Sequence, residues 1–406
     1  MFHTLKIHYD NVQILEKVRL LLFEGHWSHF GNRGSGVGFV PGSLMTAVTA
    51  LPMKLYFSPY SAMVVILLTH ILSLGILVKL AKLITGQSLF PLLVVFYWIN
   101  PWRVEQSELY NPAYLFLFST AHMWTSMNMK EKSFFHTALH IISIGFCVQF
   151  HYSAVILAIC SFLLLYFRWL KVSWWGFAAG TAIVFASLVP WALAYMNSPE
   201  LSITVANPNK AIIGRNFLYV YPVLKAVSYW VRYGSTYYAR HIFTEIEFSW
   251  ISWIWLRETL SWVFHILKWP VAAATFFLSL RWSYQRLMSL YKSKIYQRSY
   301  DKFQLNPRDR YSLYVFYTFI AMVLAAGLSP VEFNHWHFLL CFPPVILFMT
   351  LKIDSRLQRM SIHRQKRWLI GVALFFLLSD VFAALGSRSH SIANNYHKAA
   401  MEFFRQ

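Results

Sequence analysis

PYSAMVVILLTHILSLGILV, residues 59–78, runs for twenty residues without a charged side chain. Wound as a helix it rises about 30 Å, the thickness of a bilayer's hydrocarbon core. Nine further stretches have the same character: roughly 88–101, 111–129, 133–149, 152–167, 174–196, 261–280, 311–328, 335–351 and 367–386. The composition agrees. Of 406 residues, 57% are hydrophobic, 18% aromatic and only 13% charged. Soluble domains carry about 25% charge, so this chain cannot cover a soluble surface of its size. The expected class is an all-α polytopic membrane protein with about ten transmembrane helices.

One segment calls for a different geometry. In 42–57, Leu44, Val48, Leu51 and Leu55 recur at helical spacing, with Ser43 placed to cap and Pro52 to break the run. That pattern predicts a juxtamembrane helix lying in the interface. The chain then reads as one membrane-embedded domain over 1–406. An outer segment 1–58 precedes six spans in 59–196; an outer loop 197–260, four spans in 261–386 and an outer tail 387–406 follow. The aromatic stretches of 197–260, such as FSWISWIW at 248–255, suit one or two helices at headgroup level.

The net charge of +20 is the odd feature. The alternate loops 79–87, 130–132, 168–171, 281–310 and 352–367 hold 20 Lys and Arg against four acids, while the rest of the chain holds 16 against 12. Basic residues mark the cytoplasmic side, so the other face is periplasm or lumen. Charge dispersed over five loops, with no accompanying motif, excludes nucleic acid as a partner. The loop 281–310 also suits anionic lipid headgroups. Cys147, Cys160 and Cys341 form no C-x-x-C pair and sit in apolar runs, as packing residues do. Among the few ionisable residues on the spans are His136, His140, His265, Lys268 and Asp380, with nothing like a proton relay.

Polar residues gather instead at the outer ends of spans. They are Tyr9-Asp10-Asn11, the Gly-rich GNRGSGVGFVPG at 31–42, PWRVEQSELYNP at 101–112, QFHYSA at 149–154 and NHWHFLLCFPP at 334–344. In this order the motifs resemble the GT-C superfamily of integral-membrane glycosyltransferases. The resemblance is close to the bacterial branch related to protein mannosyltransferases and the lipid A aminoarabinose transferase. The resemblance runs from about residue 10 to 345. That branch carries an acid at the start of the first outer loop, where Asp10 stands here. A Gly-rich turn and an interfacial helix come next, then P-W-x-x-x-x-S-x-x-x-W-N-P, then Q-x-H-Y-[ST]-A, and a late H-Y-x-x-x-x-x-P. Two departures stand out. Relatives place a spanning helix before the acid, whereas nine residues precede Asp10, which reads as a shortened start or a lost helix. Many relatives also pair the acid with a second acid or Gln, where this chain has Asn11.

The resemblance implies a polyprenyl-phosphate sugar as donor and a glycolipid, glycan or protein as acceptor. It places transfer on the periplasmic face of a bacterial inner membrane. The acceptor hydroxyl would attack the anomeric carbon with inversion, and the lipid phosphate would leave. Asp10 is then the base; read from the residues alone it caps a helix over Val12–Phe23. The phosphate calls for Arg, whose planar fork matches its oxygens. Arg33, Arg103, Arg232 and Arg240 are the candidates, set against interfacial anchoring or pairing with Glu105, Glu108, Glu245 or Glu247. His151, Tyr152, His335 and His337 open spans on the same face and suit hydrogen bonds to phosphate or sugar. Asn111 joins the substrate candidates, although Asn111-Pro112 also reads as a helix cap and first turn. His335 and His337 are two residues apart and point to different faces, so a divalent metal held by them with Glu332 is conceivable but not indicated, and no cofactor is expected. Two other readings share the same lipid: a flippase or transporter of lipid-linked saccharides, and an inactive structural member of the family. The first predicts repeated halves or mid-membrane charge pairs, neither of which the sequence displays.

Overall fold

The computed structural model describes residues 9–33, 38–107, 109–197, 220–234, 251–297, 305–329 and 333–386. Helix α1 (Tyr9–Glu24) leads into a two-stranded antiparallel ribbon, β1 (Phe30–Arg33) and β2 (Phe39–Pro41). Then come α2 (Leu44–Leu55), α3 (Pro59–Thr85), α4 (Phe90–Leu93), α5 (Pro101–Glu105), α6 (Leu115–Asn128) and α7 (Phe134–Phe150). They are followed by α8 (Val155–Tyr166), α9 (Trp174–Asn197), α10 (Val220–Tyr233), α11 (Ile254–Ser293), α12 (Pro307–Leu328), α13 (Phe342–Leu357) and α14 (Ile362–Gly386). Among the described residues, Pro59–Thr85, Trp174–Asn197, Pro307–Leu328 and the run His335–Leu357 are long and apolar enough to cross a membrane. The chain is an all-α polytopic membrane protein, as its composition predicts.

Local chemistry fixes many of these ends. Ser58 accepts from the Tyr60 N–H and Pro59 fills the first helical position of α3, while Gly86 closes that helix at φ 79°. Asn100 caps α5 ahead of Pro101, and Asn306 caps α12 ahead of Pro307. Helix α9 docks on α7 through Gly176 and Gly180, where any Cβ would strike the backbone at Phe134 and Ala138. This small-x-x-x-small spacing lets two helices approach without a hydrophobic drive between them.

Four expectations need correction. The stretch 88–101 is not a regular spanning helix. Pro91 opens the four-residue α4, a π-helical turn covers Val94–Trp98, and the chain restarts at Pro101. Pro52 does not end α2; the helix continues to Leu55, with Leu51 and Leu55 exposed and Met45, Thr49 and Met53 buried. The segment 281–293 is helix rather than loop, because α11 has 40 residues. At 1.5 Å per residue it reaches about 60 Å, twice the hydrocarbon thickness, so its basic end projects beyond the core. Finally, α10 runs inward from headgroup level. Val223 lies beside Gly327 near the outer end of α12, and Gly234 meets Ser279 of α11 and Met349 of α13. Helix at that depth is tolerated because its backbone is bonded internally and its Ala226, Trp230 and Tyr233 are buried in protein.

Two cores result. The larger joins α3, α6, α8, α12 and α13. The smaller holds Ile14, Leu15 and Val18 of α1 against Met45 and Met53 of α2, Met63 and Ile66 of α3, and Tyr114 and Phe150. This outer core carries α1, and with it the backbone of Asp10, against the ends of the spans.

Candidate functional site

The outer polar segments converge. Lys17 of α1 donates to the carbonyls of Phe30 and Gly31, so α1 holds the first strand of the ribbon. Burial pulls this ammonium down to about 8. Asn32, on the same strand, donates to the Asn111 side chain at 3.0 Å, and Asn111 in turn donates to the Phe150 carbonyl at 3.1 Å. The capping role foreseen for Asn111 is therefore not what its side chain does; a 3₁₀ turn begins there with Tyr110 before it. Tyr152 reaches back to the Phe39 carbonyl of β2 at 2.6 Å. Gln149 lies against Gly42, whose φ of 81° and contact with the amide leave no room for a Cβ.

His151 follows Phe150 and stands 5.1 Å, centroid to centroid, from His337. The Nδ1 of His151 accepts the Ser153 backbone N–H at 3.1 Å, and the Nδ1 of His337 accepts that of Asn334 at 2.8 Å. Each neutral ring therefore carries its proton on Nε2. Neither Nε2 has a hydrogen-bond partner among the described residues. Burial pushes the His151 imidazole down to about 4, which keeps it neutral at physiological pH.

The arc continues through cations. Lys225 of α10 donates to the Asn334 side chain at 2.7 Å, and Tyr233 donates to the His335 carbonyl at 2.6 Å. Arg232 lies over the ring of Tyr229 at 4.8 Å and that of Trp102 at 6.0 Å, while Trp102 also faces His335 at 6.2 Å. Both aromatic faces hold the guanidinium in place.

Arg103 behaves differently. It is buried, its Nε donates to the Trp98 carbonyl, and its Nη1 donates to Ser107 at 3.3 Å and to the Nδ1 of His70 at 3.2 Å. His70 fits that role because its Nε2 donates to the Ala113 carbonyl at 2.8 Å. Burial draws the Arg103 guanidinium down to about 10, against the opposing pull of Tyr97 and Asp380. Asp380 of α14 thus lies within electrostatic reach of Arg103, and its Oδ1 is buried without a partner among the described residues.

Among the sequence candidates, then, Asn111, His151, Tyr152, His335, His337 and Arg232 fall on one connected arc. Arg33 is exposed at the end of β1, its backbone N–H bonded to Gln13 at 3.0 Å. Asp10 lies in the first turn of α1, which begins at Tyr9 and so leaves it no capping position. The side chains of Asp10, His265 and Lys268 lie outside the described residues, as does the whole of Arg240. Sequence reasoning passed over Asn32, His70 and Lys225. Lys225 carried a signal: it is the one Lys of a helix whose Ala226, Tyr229, Trp230 and Tyr233 recur at helical spacing.

No family model and no curated protein matches the chain. Two solved structures do. The chain is similar to ArnT from Cupriavidus metallidurans in the apo state, at 15% identity and a TM-score of 0.53, over 98% of this chain and 65% of that one. It is also similar to the same organism's ArnT bound to undecaprenyl phosphate, at 11% identity and a TM-score of 0.51, over 96% of this chain and 72% of that one. The chain thus spans about two thirds of the length of the apo structure it matches. At these identities the likeness concerns the fold alone: the chain shares the architecture of those two structures.

Proposed function

We propose that this protein transfers a sugar from a polyprenyl-phosphate carrier to an acceptor at the outer face of a bacterial inner membrane. The observation that carries this reading is the pair of uncommitted Nε2–H donors on His151 and His337, beside Lys225 and the aromatic-backed Arg232. Donors of that kind suit the phosphodiester of the donor, the phosphate monoester it becomes on leaving, and sugar hydroxyls together. The fold supports it, since a structure with the same architecture binds undecaprenyl phosphate.

In this reaction the acceptor oxygen bonds to the anomeric carbon as the bond from that carbon to the phosphate oxygen breaks. The hydroxyl proton passes to Asp10, and the phosphate leaves with the electron pair. Charge grows on the leaving oxygen, so fixed cations there lower the barrier. Arg232 and Arg33 take that role, with Arg240 eight residues beyond Arg232 in sequence. Arg103, with its Nε and Nη1 committed, braces the turn that presents Trp102 to Arg232. His151, His337, Tyr152, His335 and Asn111 orient the donor and close the site against the ribbon.

The direct test is transfer of label from polyprenyl-phosphate sugars by the purified protein, with Asp10→Asn as control. Label transferred by the parent and lost in the variant supports the reading. Binding of the lipid without any transfer by the parent would favour the flippase or inactive-subunit alternatives instead.

A further inference from the structure

The end of the molecule opposite the candidate site carries a second ligand-shaped feature. His335–Cys341 and the outer end of α12 border the arc described above; the other end of α13 carries Lys352 and Arg356. There the projecting part of α11 brings Arg286 to Asp309 at 2.7 Å, and Arg308 donates to Ser355 at 3.1 Å. Arg286, Arg308 and Arg356 all lie close enough to Lys352 to bear on its charge. Four cations therefore share this corner with two acids, Asp309 and Asp354. Asp309 is committed to Arg286 and to Asn306, and Asp354 accepts from Gln358. The cations repel one another, and a nearby anion would relieve that.

Beside them opens an apolar groove with a cavity of about 180 Å³. Leu280, Tyr284 and Leu287 of α11 form one wall, Val315 and Phe319 of α12 the other, and Trp230 of α10 the far end. Arg286 sits in the lining itself, and Lys352 folds over the ring of Phe348, another lining residue, at 5.8 Å. The Oγ of Ser283, also in the wall, is buried without a partner among the described residues. The cations are thus continuous with an apolar slot between α11 and α12. A solvated basic loop that serves only orientation has no need of such a slot.

We infer that this corner is a binding site for an anionic glycerophospholipid of the leaflet opposite the candidate active site. The phosphate lies among Arg286, Arg308 and Lys352, and one acyl chain lies in the groove between α11 and α12. Basic pockets between spans on the cytoplasmic side recognise anionic headgroups in this way. The site rests on none of the transfer chemistry proposed above.

The test uses the purified full chain in neutral detergent. Thermal unfolding is followed with dioleoylphosphatidylglycerol, with dioleoylphosphatidylcholine, and with glycerol phosphate as the headgroup alone. Phosphatidylglycerol is expected to raise Tm more than phosphatidylcholine of the same chains, and glycerol phosphate to leave it unchanged. Lipid retained in native mass spectra then gives relative affinities. Arg308→Gln with Lys352→Gln keeps the Arg286–Asp309 pair and should weaken phosphatidylglycerol binding roughly thirtyfold, from about one kcal/mol per lost cation. Ser283→Phe, which fills the groove, should displace the lipid while leaving the cations in place. Equal effects of the two lipids on the parent protein overturn the proposal without recourse to any variant. So does a doubly substituted protein that folds and binds phosphatidylglycerol like the parent, or a full response to glycerol phosphate alone.

Discussion

Two histidine pairs in this molecule are bonded in opposite ways. His122 and His140 lie 4.3 Å apart, centroid to centroid, with their rings tilted by 31°, in the interior of the helix bundle. The Nδ1 of His122 meets the Tyr314 hydroxyl at 2.8 Å and its Nε2 meets Ser161 at 2.7 Å; His140 meets Ser161 at 2.9 Å and Thr125 at 2.9 Å. All four ring nitrogens are spent on neighbours from α6, α8 and α12. His151 and His337 spend one nitrogen each on the local backbone and leave the other uncommitted. A polar group buried in apolar surroundings must be satisfied, so the first pair works as a fastener between spans. The second pair can leave donors open only where something else supplies the acceptor. Saturation of hydrogen bonds, more than the presence of histidine, separates scaffold from site.

Substitutions should divide along the same line. The largest effect is expected at Asp10. Asp10→Asn removes the base while keeping the shape, and transfer should fall by roughly 10²–10⁴ with expression unchanged; full activity in a radiolabel assay would end that assignment. Arg232→Gln should follow, lowering kcat/KM by about 10², the scale of one lost donor to developing charge. Its aromatic bed of Tyr229 and Trp102 would remain, so the loss should appear without a drop in Tm. His122→Phe should do the reverse. It takes the His122 partner from Tyr314 and leaves Ser161 with His140 alone, costing about 1–2 kcal/mol of stability in a detergent unfolding titration. Transfer per folded molecule should stay at the parent level. Reduced turnover with unchanged stability in that variant would dissolve the distinction between the two pairs.

The sequence makes the membrane class legible because a twenty-residue uncharged run has few other uses, and it makes the candidate polar segments legible because they cluster at one set of predicted helix ends. It makes the pairing of elements illegible. Asn32 looks like one more residue of a Gly-rich loop until it meets Asn111, 79 positions away. Arg103 reads as a free cation after Pro101-Trp102, yet His70 and the Trp98 carbonyl claim it, and His70 sits in a span with nothing in its neighbourhood to announce the contact. His140 looks like a lone packing histidine; its partner His122 lies on another helix. Helix α10 shows the limit most plainly. Its Tyr and Trp content suits a headgroup position, and only burial against α12 and α13 reveals that those rings line the interior. Composition reports how much apolar surface a segment has, not which neighbour covers it.

The smallest expected effect concerns pH and tests the open pair directly. His151 titrates near 4 in the folded protein because burial penalises its charged form, against about 6.5 in an unfolded chain. Between those values the unfolded state binds more protons than the folded one, so stability rises with pH across that window. The contribution is complete above pH 6.5 and is lost as pH falls toward 4. His151→Asn has no group that titrates there, and its Tm should be less steep in acid than the parent's, with the two curves keeping a constant separation above pH 7. His122→Phe should not flatten the portion due to His151. If the parent and His151→Asn lose stability in parallel from pH 7 to 4, His151 is already charged or already exposed in the folded state. Its Nε2–H could then no longer be counted as a neutral donor facing the lipid-linked phosphate.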